Sequence, residues 1–250
     1  MKILLTNDDG YSAPGILALY EALSPYHEVL LVAPDRERSA VSHAITLNEP
    51  MRLEKVRLYN DKEGYRLSGT PADCVKLGLF ELCPQKPDLI ISGINPGTNT
   101  GVNINYSGTV GAVREGAINK IPGIAVSVKK VGKMMDFKGI ARFMVGFIEK
   151  FQGISLPPGT FLNINAPDIP IRESTPVRIT RQAQNNVSEG FEKRLDPRNR
   201  DYYWYGEINR SDSEEGTDIH ALSLSAISIT AIKCDMTDYE VMNRMVDFRF

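Results

Sequence analysis

Five short apolar runs punctuate the first two thirds of the chain: Lys2-Ile3-Leu4-Leu5-Thr6, Glu28-Val29-Leu30-Leu31-Val32-Ala33, Asp88-Leu89-Ile90-Ile91-Ser92, Ile124-Ala125-Val126-Ser127 and the stretch from Phe161 to Ile164. Each is too short for a helix and too continuously apolar for a strand with one wet face. Each therefore reads as a strand covered on both faces, the habit of parallel sheets. Helical patterns stand between them, from about Pro14 to Leu23, after Thr70-Pro71-Ala72-Asp73, from near Thr109, and from Phe137 to Phe151. Thr70 offers a cap, Pro71 a first helical residue and Asp73 an acid in the first turn. This alternation predicts an α/β fold, a mostly parallel sheet with helices on both faces.

One hairpin is expected to interrupt the winding. Met51 to Tyr59 alternates polar and apolar residues and pairs with Tyr65 to Leu67 across an Asn60 to Gly64 turn. Beyond Pro167 the texture changes. Short strand candidates at Val177 to Thr180 and Tyr202 to Tyr205 are separated by a polar, charged stretch from Gln184 to Arg200, and the strand Ile227-Ser228-Ile229-Thr230 and a short helix from Asp238 to Val246 close the chain. Residues 1–167 are read as a catalytic core, and 168–250 as an appendage of hairpins and a short helix packed on it. Tyr202-Tyr203-Trp204-Tyr205 is either a lid that stacks on a base or, the favoured account, interface packing.

With 250 residues, 42% of them apolar, the chain can bury a full core. A net charge of −2 without a basic run excludes a polymeric nucleic acid as partner. Cys74, Cys83 and Cys234 lack the paired spacing of a zinc site and are expected to be buried thiols in a reducing compartment. No apolar run reaches membrane-spanning length and no signal segment precedes the first strand, so a cytoplasmic protein with no membrane contact is expected.

The chemistry gathers at strand ends. Asn7-Asp8-Asp9-Gly10 follows the first strand, Asp35-Arg36-Glu37-Arg38-Ser39 the second, and the third core strand gives Ser92-Gly93-Ile94-Asn95-Pro96-Gly97-Thr98-Asn99-Thr100-Gly101. In a doubly wound sheet such ends share one edge, where ligands bind. Adjacent carboxylates repel unless a cation lies between them, and an oxygen shell of carboxylate, hydroxyl and amide suits Mg2+ or Mn2+. A capped turn, with Gly10 at positive φ, is the plainer reading of the same residues. Tyr106-Ser107-Gly108-Thr109-Val110 opens a helix with two hydroxyls and a glycine, so exposed N–H groups and the helix dipole suit a phosphate; ordinary capping by Ser107 or Thr109 is the alternative. His43 reads as a local hydrogen bonder, and Arg36 and Arg38 as surface charges. None of the three receives a catalytic role.

Thr6-Asn7-Asp8-Asp9-Gly10, Ala33-Pro34-Asp35-Arg36-Glu37-Arg38-Ser39, Gly69-Thr70-Pro71-Ala72-Asp73-Cys74-Val75, Ser92-Gly93-Ile94-Asn95, Tyr106-Ser107-Gly108-Thr109-Val110 and Leu162-Asn163-Ile164-Asn165-Ala166-Pro167 resemble, in this order, the motifs of the SurE family of stationary-phase survival nucleotidases. The resemblance covers nearly the whole chain. It implies a Rossmann-like core in a homodimer or homotetramer. It also implies a phosphomonoesterase that uses one divalent metal ion per subunit, Mg2+ or Mn2+, to release inorganic phosphate from nucleoside 5'-monophosphates, with 3'-monophosphates and short polyphosphate as further substrates. Carried onto these positions, Asp8, Asp9, Ser39 and Asn95 are metal ligands, Asp8, Asp9 and Asn95 the catalytic residues, and Ser107, Gly108 and Thr109 the phosphate-binding residues. On the metal reading, Asn7 and Asn99 are expected to orient these groups rather than react. Two departures, Ala231 where the family has Pro and Leu222 to Ala226 in place of a Glu-Gly-Tyr-like stretch, bear on assembly rather than chemistry.

The rival from another class is a phosphorylatable receiver domain, which also follows its first strand with an acidic pair. Pro87-Asp88-Leu89-Ile90-Ile91 matches the receiver's third strand, but Ser92 stands where that domain needs an acceptor Asp.

Overall fold

The computed structural model describes residues 1–58, 61–130, 135–151, 153, 155–184, 188–209, 214–246 and 248. In chain order the strands and helices are β1 (Lys2–Thr6), α1 (Pro14–Leu23), β2 (Glu28–Pro34), β3 (Leu53–Arg57), β4 (Glu63–Leu67), α2 (Pro71–Leu77), β5 (Leu89–Pro96), α3 (Gly108–Ile118), β6 (Gly123–Val128), α4 (Phe137–Phe151), β7 (Thr160–Ala166), β8 (Val177–Thr180), β9 (Ser188–Leu195), β10 (Asp201–Asn209), α5 (Asp218–Ser223), β11 (Ile227–Lys233) and α6 (Tyr239–Met245). A nine-stranded sheet runs β3-β4-β2-β1-β5-β6-β7-β11-β8. β2, β1, β5, β6 and β7 are parallel neighbours, β4 joins β2 in parallel, and β3–β4 is the expected antiparallel hairpin, whose turn residues Tyr59 and Asn60 lie outside the described residues. The fold is α/β, as the strand-helix alternation predicts.

The continuous apolar runs have a physical cause. Ile3, Leu5, Leu89 and Ile91 face a core built with α1 and α4, whereas Leu4, Val32 and Ile90 face a second core with α2 and α3. Successive side chains of a strand go to opposite faces, so burying both faces demands an apolar residue at every position. Gly15 brings α1 against the end of β5, where a Cβ would stand 2.1 Å from the Ile94 carbonyl oxygen. α2 begins at the expected cap: the Thr70 hydroxyl accepts from Asp73 N–H at 3.1 Å while the Asp73 carboxylate accepts from Thr70 N–H at 2.9 Å.

The C-terminal third contributes in two ways. β11 pairs antiparallel with β7 and parallel with β8, so these strands continue the core sheet beyond residue 167. β9 and β10 form a separate two-stranded ribbon. The polar stretch read as a separator thus contains a strand. Phe191 and Leu195 on β9 and Tyr203 and Trp204 on β10 are all exposed, so no buried face imposes a readable alternation on β9, and pairing with β10 defines it. Among the cysteines, none of which is disulfide-bonded, Cys74 is buried as expected, whereas Cys83 and Cys234 are only half-buried.

Candidate active site

The carboxyl ends of β2, β1 and β5 lie side by side. The turn after β1 is locked by Asn7, whose side-chain amide donates to the Gly10 carbonyl at 2.9 Å and accepts from Gly10 N–H at 3.2 Å, with Gly10 at φ +101°. Asn7 therefore carries the capping work. That leaves both carboxylates for other partners.

Asp8 is buried, and its Oδ1 accepts the Thr109 hydroxyl at 2.5 Å. The amino end of α3 lies directly on it: a Cβ at Gly108 would stand 3.0 Å from Asp8 Cβ and 3.2 Å from Asp8 Oδ2. Glycine at 108 is what permits this approach. Arg38 N–H donates to the Asp8 carbonyl at 2.7 Å, bringing the loop after β2 to the same place. Asp9 Oδ2 is buried without a hydrogen-bond partner. Burial, then the charges of Asp8 and Glu37, push the Asp9 carboxyl up to about 7, and burial also raises Asp8. A buried carboxylate beside a half-buried one whose inner oxygen is unpartnered is the environment a divalent cation relieves. The donor set fits such an ion.

Among the described residues no three of His, Cys, Asp and Glu gather as a metal cluster, and the expected further ligands are neutral oxygens. Ser39 and Asn95 are of that type. Ser39 is exposed and donates its hydroxyl to Glu37 Oε1 at 2.6 Å. Asn95 donates its amide nitrogen to the Gly97 carbonyl at 2.7 Å, so Oδ1 is its atom suited to a cation.

The hydroxyls of the α3 turn are both in use within the protein. Ser107 is the cap, its Oγ accepting from Val110 N–H at 3.1 Å, and Thr109 serves Asp8. What the turn offers an anion is the helix dipole, the backbone at Gly108 and the Ser107 hydroxyl, which accepts from Val110 N–H and keeps its own proton to donate.

His43 lies on a strap that crosses α3. Ser42 N–H donates to the Tyr106 carbonyl at 2.9 Å, the Ser42 hydroxyl to the Asn105 carbonyl at 2.6 Å, and His43 Nε2 meets Glu115 Oε2 at 2.9 Å. Lys76 Nζ donates to Glu115 Oε1 at 2.9 Å. His43, then Lys76, hold the Glu115 carboxyl down at about 2 against the opposing effect of burial. Glu115 was not among the sequence candidates. Its signal is the four-residue spacing from Gly111, where a Cβ would lie 2.3 Å from the Ser42 carbonyl oxygen, marking the helix face the strap covers. Arg38 pairs with Asp35 at 3.5 Å.

Asn99 stands at the centre of a buried network. Its N–H donates to Asn165 Oδ1 at 2.8 Å, its amide to the Ser127 hydroxyl at 2.9 Å, and its carbonyl accepts from Asn163 at 2.7 Å and Asn165 at 3.1 Å. Polar residues inside the apolar run of β7 were the available sign of this network. Tyr202 to Tyr205 are exposed on β10, in the separate ribbon.

A family profile described as Survival protein SurE matches residues 3–189. The chain belongs to the SurE family. The 5'-nucleotidase SurE of Desulfatibacillum aliphaticivorans is 48% identical over 253 residues, covering 100% of this chain and 98% of that protein. The 5'-nucleotidase SurE of Heliobacterium modesticaldum is 44% identical over 250 residues, covering 99% of this chain and 92% of that protein. The crystal structure of the SurE protein from Aquifex aeolicus matches with a TM-score of 0.86 at 40% identity, covering 98% of each chain. SurE membership therefore extends to the whole architecture, including the strands beyond residue 167. It removes the ground for the receiver reading.

Proposed function

We propose that this protein is a divalent-metal-dependent 5'-nucleotidase that hydrolyses nucleoside 5'-monophosphates to nucleoside and inorganic phosphate. The observation that supports the reading is the close approach of the Gly108 backbone, at the amino end of a helix, to the buried Asp8, with half-buried Asp9 next to it. Asp8 and Asp9, with Ser39 and Asn95, would hold Mg2+ or Mn2+. Bound there, such an ion would polarise a water and neutralise charge on a phosphoryl oxygen.

The chain's own groups divide the remaining work. The Gly108 backbone and the α3 dipole bind the phosphoryl group and stabilise its equatorial charge. Asp8 is fixed by the Thr109 hydroxyl. Asp9, whose Oδ2 has no donor, takes the proton of the attacking water and returns it to the ester oxygen as the P–O bond breaks, so that the nucleoside leaves as the alcohol and Asp9 is again ionised. The strap at Ser42 and His43 and the Asn99 network hold the two flanking loops in place.

Phosphate release from 5'-AMP, with and without Mg2+ or Mn2+, tests this reading, with 3'-AMP and tripolyphosphate as further substrates. Release from 5'-AMP that requires either metal supports it. No release under any condition sinks it. Among the described residues no helix is long and apolar enough to cross a membrane; we place the enzyme in the cytoplasm, as a homodimer or homotetramer that covers the ribbon and α6.

A further inference from the structure

The loop that carries the chain from Asn95 to Ser107 is gripped at alternate residues. Gly97 N–H donates to the Val128 carbonyl at 2.8 Å, and Asn99 is held by the asparagine network. The third grip comes from the C-terminal segment. Asp218 Oδ2 accepts from Gly101 N–H at 2.8 Å, and Gln182 Nε2 donates to the Gly101 carbonyl at 2.8 Å. Both backbone polar groups of Gly101, which sits at φ +54°, are thus taken by residues far away in sequence.

The cost of this arrangement marks it as more than packing. Asp218 is fully buried, and its other oxygen accepts from Ala183 N–H at 3.1 Å and Ile219 N–H at 2.9 Å. A buried carboxylate is expensive unless donors surround it, and these are all backbone groups. Capping of α5 does not require it, because Thr217 Oγ1 accepts from His220 N–H. Arg181 N–H donates to the Gly216 carbonyl and Asp218 N–H to the Arg181 carbonyl, each at 3.0 Å, so the two roots of the excursion that bears the ribbon meet at this node. A single 3-10 turn, Gly101–Asn105, then leads to Tyr106 and the Ser107 cap.

We infer that Asp218 and Gln182 are positioning residues for phosphate binding: by clamping Gly101 they set the turn on which the amino end of α3 begins. The inference rests on the reading of that helix end as the phosphate site. Asp218→Asn keeps the shape of the side chain and one oxygen for Ala183 and Ile219, and turns an amide NH2 toward the Gly101 N–H. Gln182→Leu removes the other half of the clamp.

The test is calorimetric binding of inorganic phosphate and of Mn2+ to the full-length wild type and both variants, with KM and kcat for 5'-AMP. Each variant is expected to weaken phosphate binding and raise KM by about 10-fold, the size of one lost hydrogen bond, with Mn2+ affinity unchanged. In the double variant the losses should be less than multiplicative, because both groups hold one residue. A lower melting temperature with phosphate affinity and KM at wild-type values would overturn the inference and leave the clamp a purely structural bond. If Asp218→Asn fails to fold, Gln182→Leu decides by the same criteria. Phosphate binding does not need turnover, so a wild type that binds phosphate yet leaves 5'-AMP intact refutes the nucleotidase reading while the clamp is still tested. A wild type that binds no phosphate overturns both.

Discussion

Thr109 and Asp8, 101 residues apart in sequence, are joined by a buried hydrogen bond of 2.5 Å from hydroxyl to carboxylate. The bond separates two carboxylates that the sequence presents as equals: Asp8 is anchored to α3, whereas Asp9 keeps a buried oxygen without a partner.

Thr109→Val removes that donor and keeps the side-chain shape. A buried carboxylate left without its hydrogen bond costs about 1–3 kcal/mol, so the metal-free protein should melt lower. Turnover of 5'-AMP should fall on the order of 10²-fold as Asp8 loses its orientation. Wild-type kcat/KM in this variant would show that the bond has no part in the chemistry.

Gly108→Ala introduces a Cβ 3.0 Å from Asp8 Cβ and 3.2 Å from a Val41 methyl. The helix end must move off Asp8. We expect a folded protein by circular dichroism, with phosphate affinity and activity both reduced by about 10-fold or more, since small misplacements of binding groups are costly.

Asp9→Asn should reverse a pH dependence. The folded-state value of about 7 lies above the 3.8 of an ordinary Asp, so the folded protein holds this proton more tightly than the unfolded chain does. The associated stability is complete below about pH 4 and is lost as the pH rises through about 7. In thermal melts of metal-free protein, the variant should therefore gain on the wild type at pH 8 and lose that advantage at pH 4. Mn2+ should raise the melting temperature of the wild type far more than that of the variant.

Glu115→Gln tests the opposite sign. Its folded-state value of about 2 lies below the ordinary 4.5, so its contribution is complete above about pH 4.5 and is lost as the pH falls toward 2. Urea unfolding should show the variant destabilised on the order of 2 kcal/mol at pH 7, with the difference shrinking below pH 4. Equal differences at pH 7 and pH 3 would contradict this account.

A chain ending at Thr237 lacks α6, a helix without a buried residue among exposed Tyr239, Met242 and Met245. Apolar surface of this kind on a short helix calls for a cover. Light scattering should show a smaller species than the full chain. A full-length protein that is monomeric at micromolar concentration would remove the oligomer from the proposal.

Local physics made much of the molecule readable from the sequence. α1 and α4 fall at the expected residues, because an amphipathic period is a property of neighbours along the chain. The Thr70 cap is equally local. Continuous apolar runs identified the parallel strands, and chain order then brought Asp8, Asp9, Asn95 and the Ser107 turn to one sheet edge as candidates. β9 escaped because both its faces are exposed, and a strand without a buried face writes no period.

The sequence by itself determined the fold class, the family and the residue types at the strand ends. Packing settled which partner each polar side chain meets: the Asp8 carboxylate for Thr109, the Val110 N–H of its own helix for Ser107, the Glu37 carboxylate for Ser39, and the Glu115 carboxylate for His43. It alone brought Asp218 to Gly101 across 117 residues. Periodicity and capping are written in near neighbours, whereas these bonds depend on how strands and helices pack, and burial sets their strength only once that packing exists.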